Sequence, residues 1–230
     1  MLTDAWSSRV AIVDYGMGNL FSIKHACEHV GLQPLVTSSP AAVLAAEAVI
    51  LPGVGAFGDA MATLKRLDLV TTLQEIAASG KPLLGVCLGM QLLMTESYEF
   101  GRHQGLGIIE GDVVRLWDTT DATPGVKVPQ VGWNHLRSAG RPWERTLLES
   151  VPDGAFMYFV HSFYVRPVDA SQILSTTRYG SVEFCSTLQR RNIMACQFHP
   201  ERSGLMGLQI YRNLTTLLKD QRAMPEAQHA

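Results

Sequence analysis

The sequence predicts an α/β protein of three layers, a mixed sheet with helices on both faces. Three observations predict it. Up to about Gly105, short apolar runs alternate with helix-compatible segments, the pattern of parallel strands joined by crossover helices. Beyond that point short alternating strands dominate, which signals antiparallel pairing. A chain of 230 residues, 47% of them hydrophobic, can also bury one substantial core.

In order along the chain, Arg9 to Tyr15 is an apolar run that breaks at Asp14, Gly16 and Gly18, and a helix is expected over Leu20 to Val30. Gln33 to Thr37 suits a strand, Pro40 to Ala46 a helix, and Ala48 to Leu51 a buried strand ending at Pro52 and Gly53. A helix is expected over Gly58 to Ala78, a strand over Pro82 to Val86 running into Cys87, and a helix over Met90 to Thr95. The second half reads as strands at Gly107 to Trp117, Gly154 to Val165, Ser171 to Tyr179, Ser181 to Thr187 and Ile193 to Phe198, closed by a helix over Leu205 to Lys219. One domain is expected over 9–219, with flexible ends at 1–8 and 220–230 and a polar surface loop over Thr119 to Gly125.

Composition excludes several classes of function. A formal net charge of -2 offers no basic footprint for a phosphate backbone, so no nucleic-acid partner is expected. Met1 to Arg9 has no basic lead into an apolar stretch, and no later run approaches the ~20 apolar residues that span a bilayer. The expectation is a soluble, cytoplasmic protein without a membrane partner. Cys27, Cys87, Cys185 and Cys196 form no CxxC pair, which argues against zinc sites and redox dithiols. His25 and His29 share a helix face, but no third ligand accompanies them, and neither metal nor cofactor is expected.

Three segments carry chemistry. Gly85-Val86-Cys87-Leu88-Gly89 repeats the spacing of a G-x-S-x-G nucleophile elbow with cysteine in place of serine. A sharp strand-to-helix turn exposes the nucleophile, flanking glycines remove clashing Cβ atoms, and free N–H groups at the helix start favour a thiolate. The pentapeptide alone equally suits a buried structural cysteine. Gln197-Phe198-His199-Pro200-Glu201 closes the last strand, and in an extended chain His199 and Glu201 project to one face. That pairing would supply a base and the carboxylate that orients it. Leu51 to Gly58 ends a strand with three glycines at 53, 55 and 58, a loop whose amides, with that of Leu88, could hold an oxyanion. Such a loop taken singly also fits a simple packing turn.

Together, GVCLGMQLL (85–93), LPGVGAFGDAM (51–61) and FHPERSG (198–204) resemble the triad, class I glutamine amidotransferases. DYGMGN (14–19), VPQVGWN (128–134) and YFVHSFY (158–164) are similar to the glutaminase subunits of imidazole glycerol phosphate synthase in histidine biosynthesis, and the likeness runs from about Val10 to Leu217. The resemblance implies a flavodoxin-like sheet and an enzyme that hydrolyses glutamine and passes ammonia to a partner making imidazole glycerol phosphate and AICAR. It implies Cys87 as nucleophile, His199 as acid and base, and Glu201 as its orienting carboxylate. Gly53, Val54, Gly55 and Leu88 match the oxyanion region, while Gln91, His161, Ser162 and Phe163 match positions that hold glutamine. Asn19, Trp133 and Arg202 match positions near the interface with a (β/α)8-barrel cyclase, the heterodimer partner. Phe163 stands where the resemblance leads one to expect tyrosine, and Thr119 to Gly125 is longer than usual. Service to a different synthase, or a stand-alone cysteine hydrolase, are the alternative readings.

Overall fold

The computed structural model describes residues 8–117 and 126–223. Its elements, in chain order, are β1 (Arg9–Val13), α1 (Leu20–His29), β2 (Gln33–Thr37), α2 (Pro40–Ala45), β3 (Ala48–Leu51), α3 (Phe57–Arg66), α4 (Leu69–Ala78), β4 (Leu83–Val86) and α5 (Leu88–Leu92). There follow β5 (Met94–Ser97), β6 (His103–Gln104), β7 (Ile109–Arg115), β8 (Gln130–His135), β9 (Arg137–Ser138), β10 (Phe156–His161) and β11 (Phe163–Pro167). The chain continues through β12 (Ile173–Tyr179), β13 (Val182–Arg190) and β14 (Ile193–Cys196), a 3-10 turn (Pro200–Arg202), and α6 (Gly204–Ala223).

The central sheet has the order β2-β1-β3-β4-β14-β13-β12-β9. Its pairings are parallel from β2 to β14 and antiparallel from there to β9. Side chains along a strand alternate between faces, so β1 sends Val10 and Ile12 into one core and Ala11 and Val13 into the other. The first core packs under α1 and α6 through Ile23, Cys27, Ile210 and Leu214. The second packs under α2, α3 and α4 through Val43, Leu64, Leu69 and Leu73. Helices thus cover both faces of a mixed sheet, as the alternating pattern predicts. A four-stranded sheet, β11-β7-β5-β6, and a two-stranded ribbon, β10-β8, complete the molecule.

Several element boundaries differ from the sequence expectation. The helix expected over Gly58 to Ala78 is two helices, because Asp68 takes a left-handed conformation (φ 56°). That single step turns the chain while leaving Leu64 and Leu69 in the same core. The helix expected through Thr95 stops at Leu92, because the carbonyls of Leu92, Leu93 and Met94 accept hydrogen bonds from the backbone at 106–109 instead of continuing a helical ladder. The run expected as one strand over Gly154 to Val165 breaks at Ser162, so that β10 pairs with β8 and β11 with β7. The last helix continues past Lys219 to Ala223. Strand β8 fell in a stretch where no strand was expected. The segment Thr119 to Gly125 and the ends at 1–7 and 224–230 lie outside the described residues.

Candidate active site

Sheet register brings the site together. Parallel neighbours β4 and β14 pair Val86 with Cys196 at their carboxyl ends. Cys87 therefore leaves the sheet beside the segment that leads to His199, and the Cys87 amide donates to the Cys196 carbonyl at 2.8 Å. Cys87 itself sits at φ 54°, ψ -110°, a strained geometry for a residue with a Cβ. The glycines around it are required by close contact. A Cβ on Gly85 would come within 2.9 Å of the Gly89 carbonyl oxygen and the Met90 nitrogen, and one on Gly89 would overlap the Leu51 carbonyl oxygen.

Cys87, His199 and Glu201 are all withdrawn from solvent and line a cavity of about 340 Å³. His199 Nδ1 hydrogen-bonds Glu201 Oε1 at 2.9 Å. The reason differs from the sequence expectation. Residues 200–202 form a 3-10 turn, with His199 as the extended residue before it (φ -101°, ψ 97°), so a tight turn and not strand alternation folds the carboxylate back onto the ring. Burial alone would lower the His199 pKa, but the charge of Cys87 and hydrogen bonds to Cys87 and Glu201 outweigh it and push it up to about 10. The ring is therefore held as an imidazolium between Cys87 and Glu201.

The other sequence-predicted residues also gather here. All of them except Gly53 and Trp133 line the cavity. Gly53 lies just behind it: its carbonyl accepts from the Leu88 amide at 3.4 Å, so one expected oxyanion donor is occupied. Tyr15, buried beneath this loop, donates its hydroxyl to the Pro52 carbonyl at 2.7 Å. Burial, and secondarily the charge of Cys87, raise the Tyr15 pKa, which keeps the donor protonated. Gly55 has φ 99°, which only glycine adopts at ease.

Gln91 donates through Nε2 to the Phe163 carbonyl at 2.9 Å and to Gln197 Oε1 at 3.1 Å. His161 shares the same Phe163 carbonyl through Nδ1 at 2.9 Å, while its buried Nε2 has no protein partner. Burial lowers the His161 pKa to about 4, so the ring is neutral, Nδ1 carries the proton and Nε2 is an acceptor. Ser162 is the residue at which β10 gives way to β11, and its carbonyl accepts from Leu116.

Asn19 and Arg202 stand at the cavity wall, and Trp133 lies outside it on the β8–β10 ribbon. The Arg202 guanidinium lies 4.4 Å over the Tyr158 ring, and Trp133 meets the same ring edge-on. Opposed residues share one face of an antiparallel ribbon, so the pairs Val131–Val160, Trp133–Tyr158 and His135–Phe156 form one surface. On it Trp133 is 54% exposed, and Val131 and Phe156 are exposed as well.

Sequence reasoning missed four participants. Glu99 lines the cavity with its carboxylate accepting from the Phe57 amide at 2.6 Å, and burial raises its pKa. Gln197, wholly buried, directs Nε2 at Cys87 Sγ at 3.6 Å. The Val160 carbonyl lies 3.7 Å from the same sulfur, and Tyr15 supports the glycine loop. Tyr15 and Gln197 sit inside motifs already singled out, whereas nothing around Glu99 marked it. Among the described residues no cluster of side chains could hold a metal ion.

Comparison with known proteins gives the family. The sequence matches the family described as glutamine amidotransferase class-I over residues 11–215. It is 45% identical over 211 residues to imidazole glycerol phosphate synthase subunit HisH of Thermosynechococcus vestitus, covering 92% of this chain and 98% of that one. To the same subunit of Geobacter sulfurreducens it is 46% identical over 207 residues, covering 90% and 97%. In fold it resembles the structure of PurLQS from Thermotoga maritima, with a TM-score of 0.68 at 19% identity over 94% of this chain and 99% of that one. A match spanning nearly every described element places the chain plainly: it belongs to the class I glutamine amidotransferases.

Proposed function

We propose that the chain is the glutaminase subunit of imidazole glycerol phosphate synthase, releasing ammonia from glutamine for a (β/α)8-barrel cyclase that makes imidazole glycerol phosphate and AICAR. The observation that carries the reading is the seating of His199 between Cys87 and Glu201 in one cavity. Identity of about 45% to subunits of that synthase supports the choice among amidotransferases.

In this mechanism the Cys87 thiolate attacks the carboxamide carbon of glutamine, and the carbonyl π electrons move to oxygen. Backbone amides of the Gly53-Val54-Gly55 loop and Leu88 stabilise that oxyanion. His199, already protonated, gives its proton to the amide nitrogen, ammonia departs, and a γ-glutamyl thioester remains. Water then attacks the thioester while His199 takes a proton from it, and collapse releases glutamate and the thiolate. Glu201 holds the ring tautomer throughout.

The cavity suits the rest of glutamine. Glu99 offers a carboxylate whose burial an ammonium group would offset. Gln91 has both N–H donors committed, which leaves Oε1 for the substrate. Phe163 supplies its backbone carbonyl to Gln91 and His161, a role for which its side chain need not be tyrosine.

Because Gly53 O occupies the Leu88 amide, the loop must reorient for full activity, and docking of the ligand-loaded cyclase is the trigger. The exposed ribbon face with Trp133, beside Arg202 and Asn19, is the surface offered to that partner. The reading places the chain in the cytoplasm, a compartment that keeps its four free cysteines reduced. Among the described residues no helix is long and apolar enough to cross a membrane.

The test is Cys87→Ala in the assembled complex. Glutamate release from glutamine should vanish while the cyclase still forms product from an ammonium salt. Hydrolysis of glutamine at near the parent rate would refute the assignment.

A further inference from the structure

The geometry points to Gln197 as a positioning residue of this site, one that holds the nucleophilic sulfur and the substrate-facing amide of Gln91 through a single side chain. The inference rests on the glutaminase reading for its kinetic consequences and on geometry alone for its contact with sulfur.

Gln197 follows β14 directly and is tied to β13 by its amide, which donates to the Ser186 carbonyl at 2.9 Å. Its side chain is fully buried yet makes no apolar use of the position. A primary amide in a closed site costs free energy unless its polar atoms find partners, and here both ends do. Oε1 accepts from Gln91 Nε2 at 3.1 Å, and Nε2 points at Cys87 Sγ at 3.6 Å.

The direction of this amide is fixed by its neighbours. The Phe163 carbonyl can only accept, so the Gln91 atom 2.9 Å from it must be the NH2 group. The Gln197 atom facing that NH2 group must in turn be oxygen, which leaves the Gln197 NH2 group turned to the sulfur. One carbonyl in β11 thereby sets a donor on the nucleophile two side chains away.

Besides His199, the sulfur has two opposing contacts. The Val160 carbonyl at 3.7 Å can only receive a proton donor, which suits a thiol. The Gln197 NH2 group can only donate, which suits a thiolate. With His199 held as imidazolium, the donor contact matches the charged form that attacks glutamine. Losing it removes one hydrogen bond to a charged acceptor, equivalent to roughly 10- to 100-fold in rate. Oε1 serves a different end: it occupies one N–H of Gln91 and so keeps Gln91 Oε1 directed away from Gln197.

Two variants separate these contacts. Gln197→Glu keeps an oxygen for Gln91 and places a second oxygen where the sulfur had a donor. Gln197→Met removes both polar atoms at similar volume. Each is assembled with the cyclase, its melting temperature recorded, and its Cys87 alkylation by iodoacetamide at pH 7 followed by peptide mass spectrometry.

Both variants are expected to alkylate Cys87 roughly tenfold or more slowly and to lose kcat for glutamine in parallel. KM should stay within about threefold of the parent for Gln197→Glu but rise further for Gln197→Met, where Gln91 loses its partner. Either variant folding and reacting at the parent rate would overturn the proposal, as would a lowered melting temperature with alkylation unchanged. Because alkylation needs no glutamine, it decides on Gln197 even if the unaltered complex proves unable to hydrolyse glutamine, an outcome that would count against the glutaminase reading alone.

Discussion

The carbonyl oxygen of Gly53 accepts the amide of Leu88, the residue after Cys87, at 3.4 Å. An amide so engaged is unavailable to a developing oxyanion, and the bond is long enough to break at little cost. The loop that makes it is clamped at one end by Tyr15, whose hydroxyl holds Pro52. That contact fixes Pro52 and leaves residues 53–55 as the part of the loop with glycine freedom.

Gly53→Ala tests this clamp. A new Cβ would overlap the Tyr15 hydroxyl and come within 2.9 Å of Leu88 Cβ. Glutamate release should fall by more than tenfold, and stability by about 1–3 kcal/mol. Steady-state assay and urea denaturation measure the two effects, and ammonium-dependent synthesis by the partner should persist.

His199 gives a pH prediction. Its pKa is raised above the ordinary histidine value to about 10, so the stability it adds is fully present below about 6.5 and is lost as pH rises through about 10. In Cys87→Ser the larger of the two raising influences, that of Cys87, is gone, and Glu201 alone opposes the burial that disfavours the charged ring. The imidazole 15N signals of His199 should then report a neutral ring at pH 7, against a protonated one in the parent.

His161 shifts in the opposite direction. Burial lowers its pKa to about 4, so between about 6.5 and about 4 the unfolded chain binds a proton that the folded one does not. Stability contributed by the neutral ring is present above about 6.5 and declines as pH falls through that window. His161→Phe should reduce the stability difference between pH 7 and pH 5, measured by urea denaturation at both.

Trp133→Ala addresses the ribbon surface. Aromatic anchors carry a large share of interface energy, so affinity for the cyclase should fall by roughly tenfold or more in calorimetric titration. The melting temperature of the isolated chain should stay close to the parent value, because half of this ring already faces solvent.

How much was legible in the sequence depended on whether local chemistry or distant contacts decided the outcome. Strands such as Ala48–Leu51 were plain because an apolar run stopped at Pro52 and Gly53. The halt of α5 at Leu92 was not, since backbone from 106–109 claims its carbonyls. Asp68 in the left-handed region left no mark that a helix-compatible sequence would reveal. In the site, Cys87, His199 and Glu201 are visible through motif spacing, although the spacing suits extended chain over 200–202, where the structure has a 3-10 turn. Glu99 was invisible because only the fold brings its carboxylate to the Phe57 amide, 42 residues away.

Among the described residues, strand β10 has β8 on one side and no strand on the other. On that open side the Tyr158 amide donates to Ser203 Oγ, the Tyr158 carbonyl accepts from His199, and the Val160 carbonyl meets Cys87. Bare strand margins invite pairing between molecules, and here the segment 199–203 that bears His199 serves as the guard. A mutation that unseats residues 199–203 should therefore make the protein sticky as well as inactive, its loss of turnover accompanied by self-association.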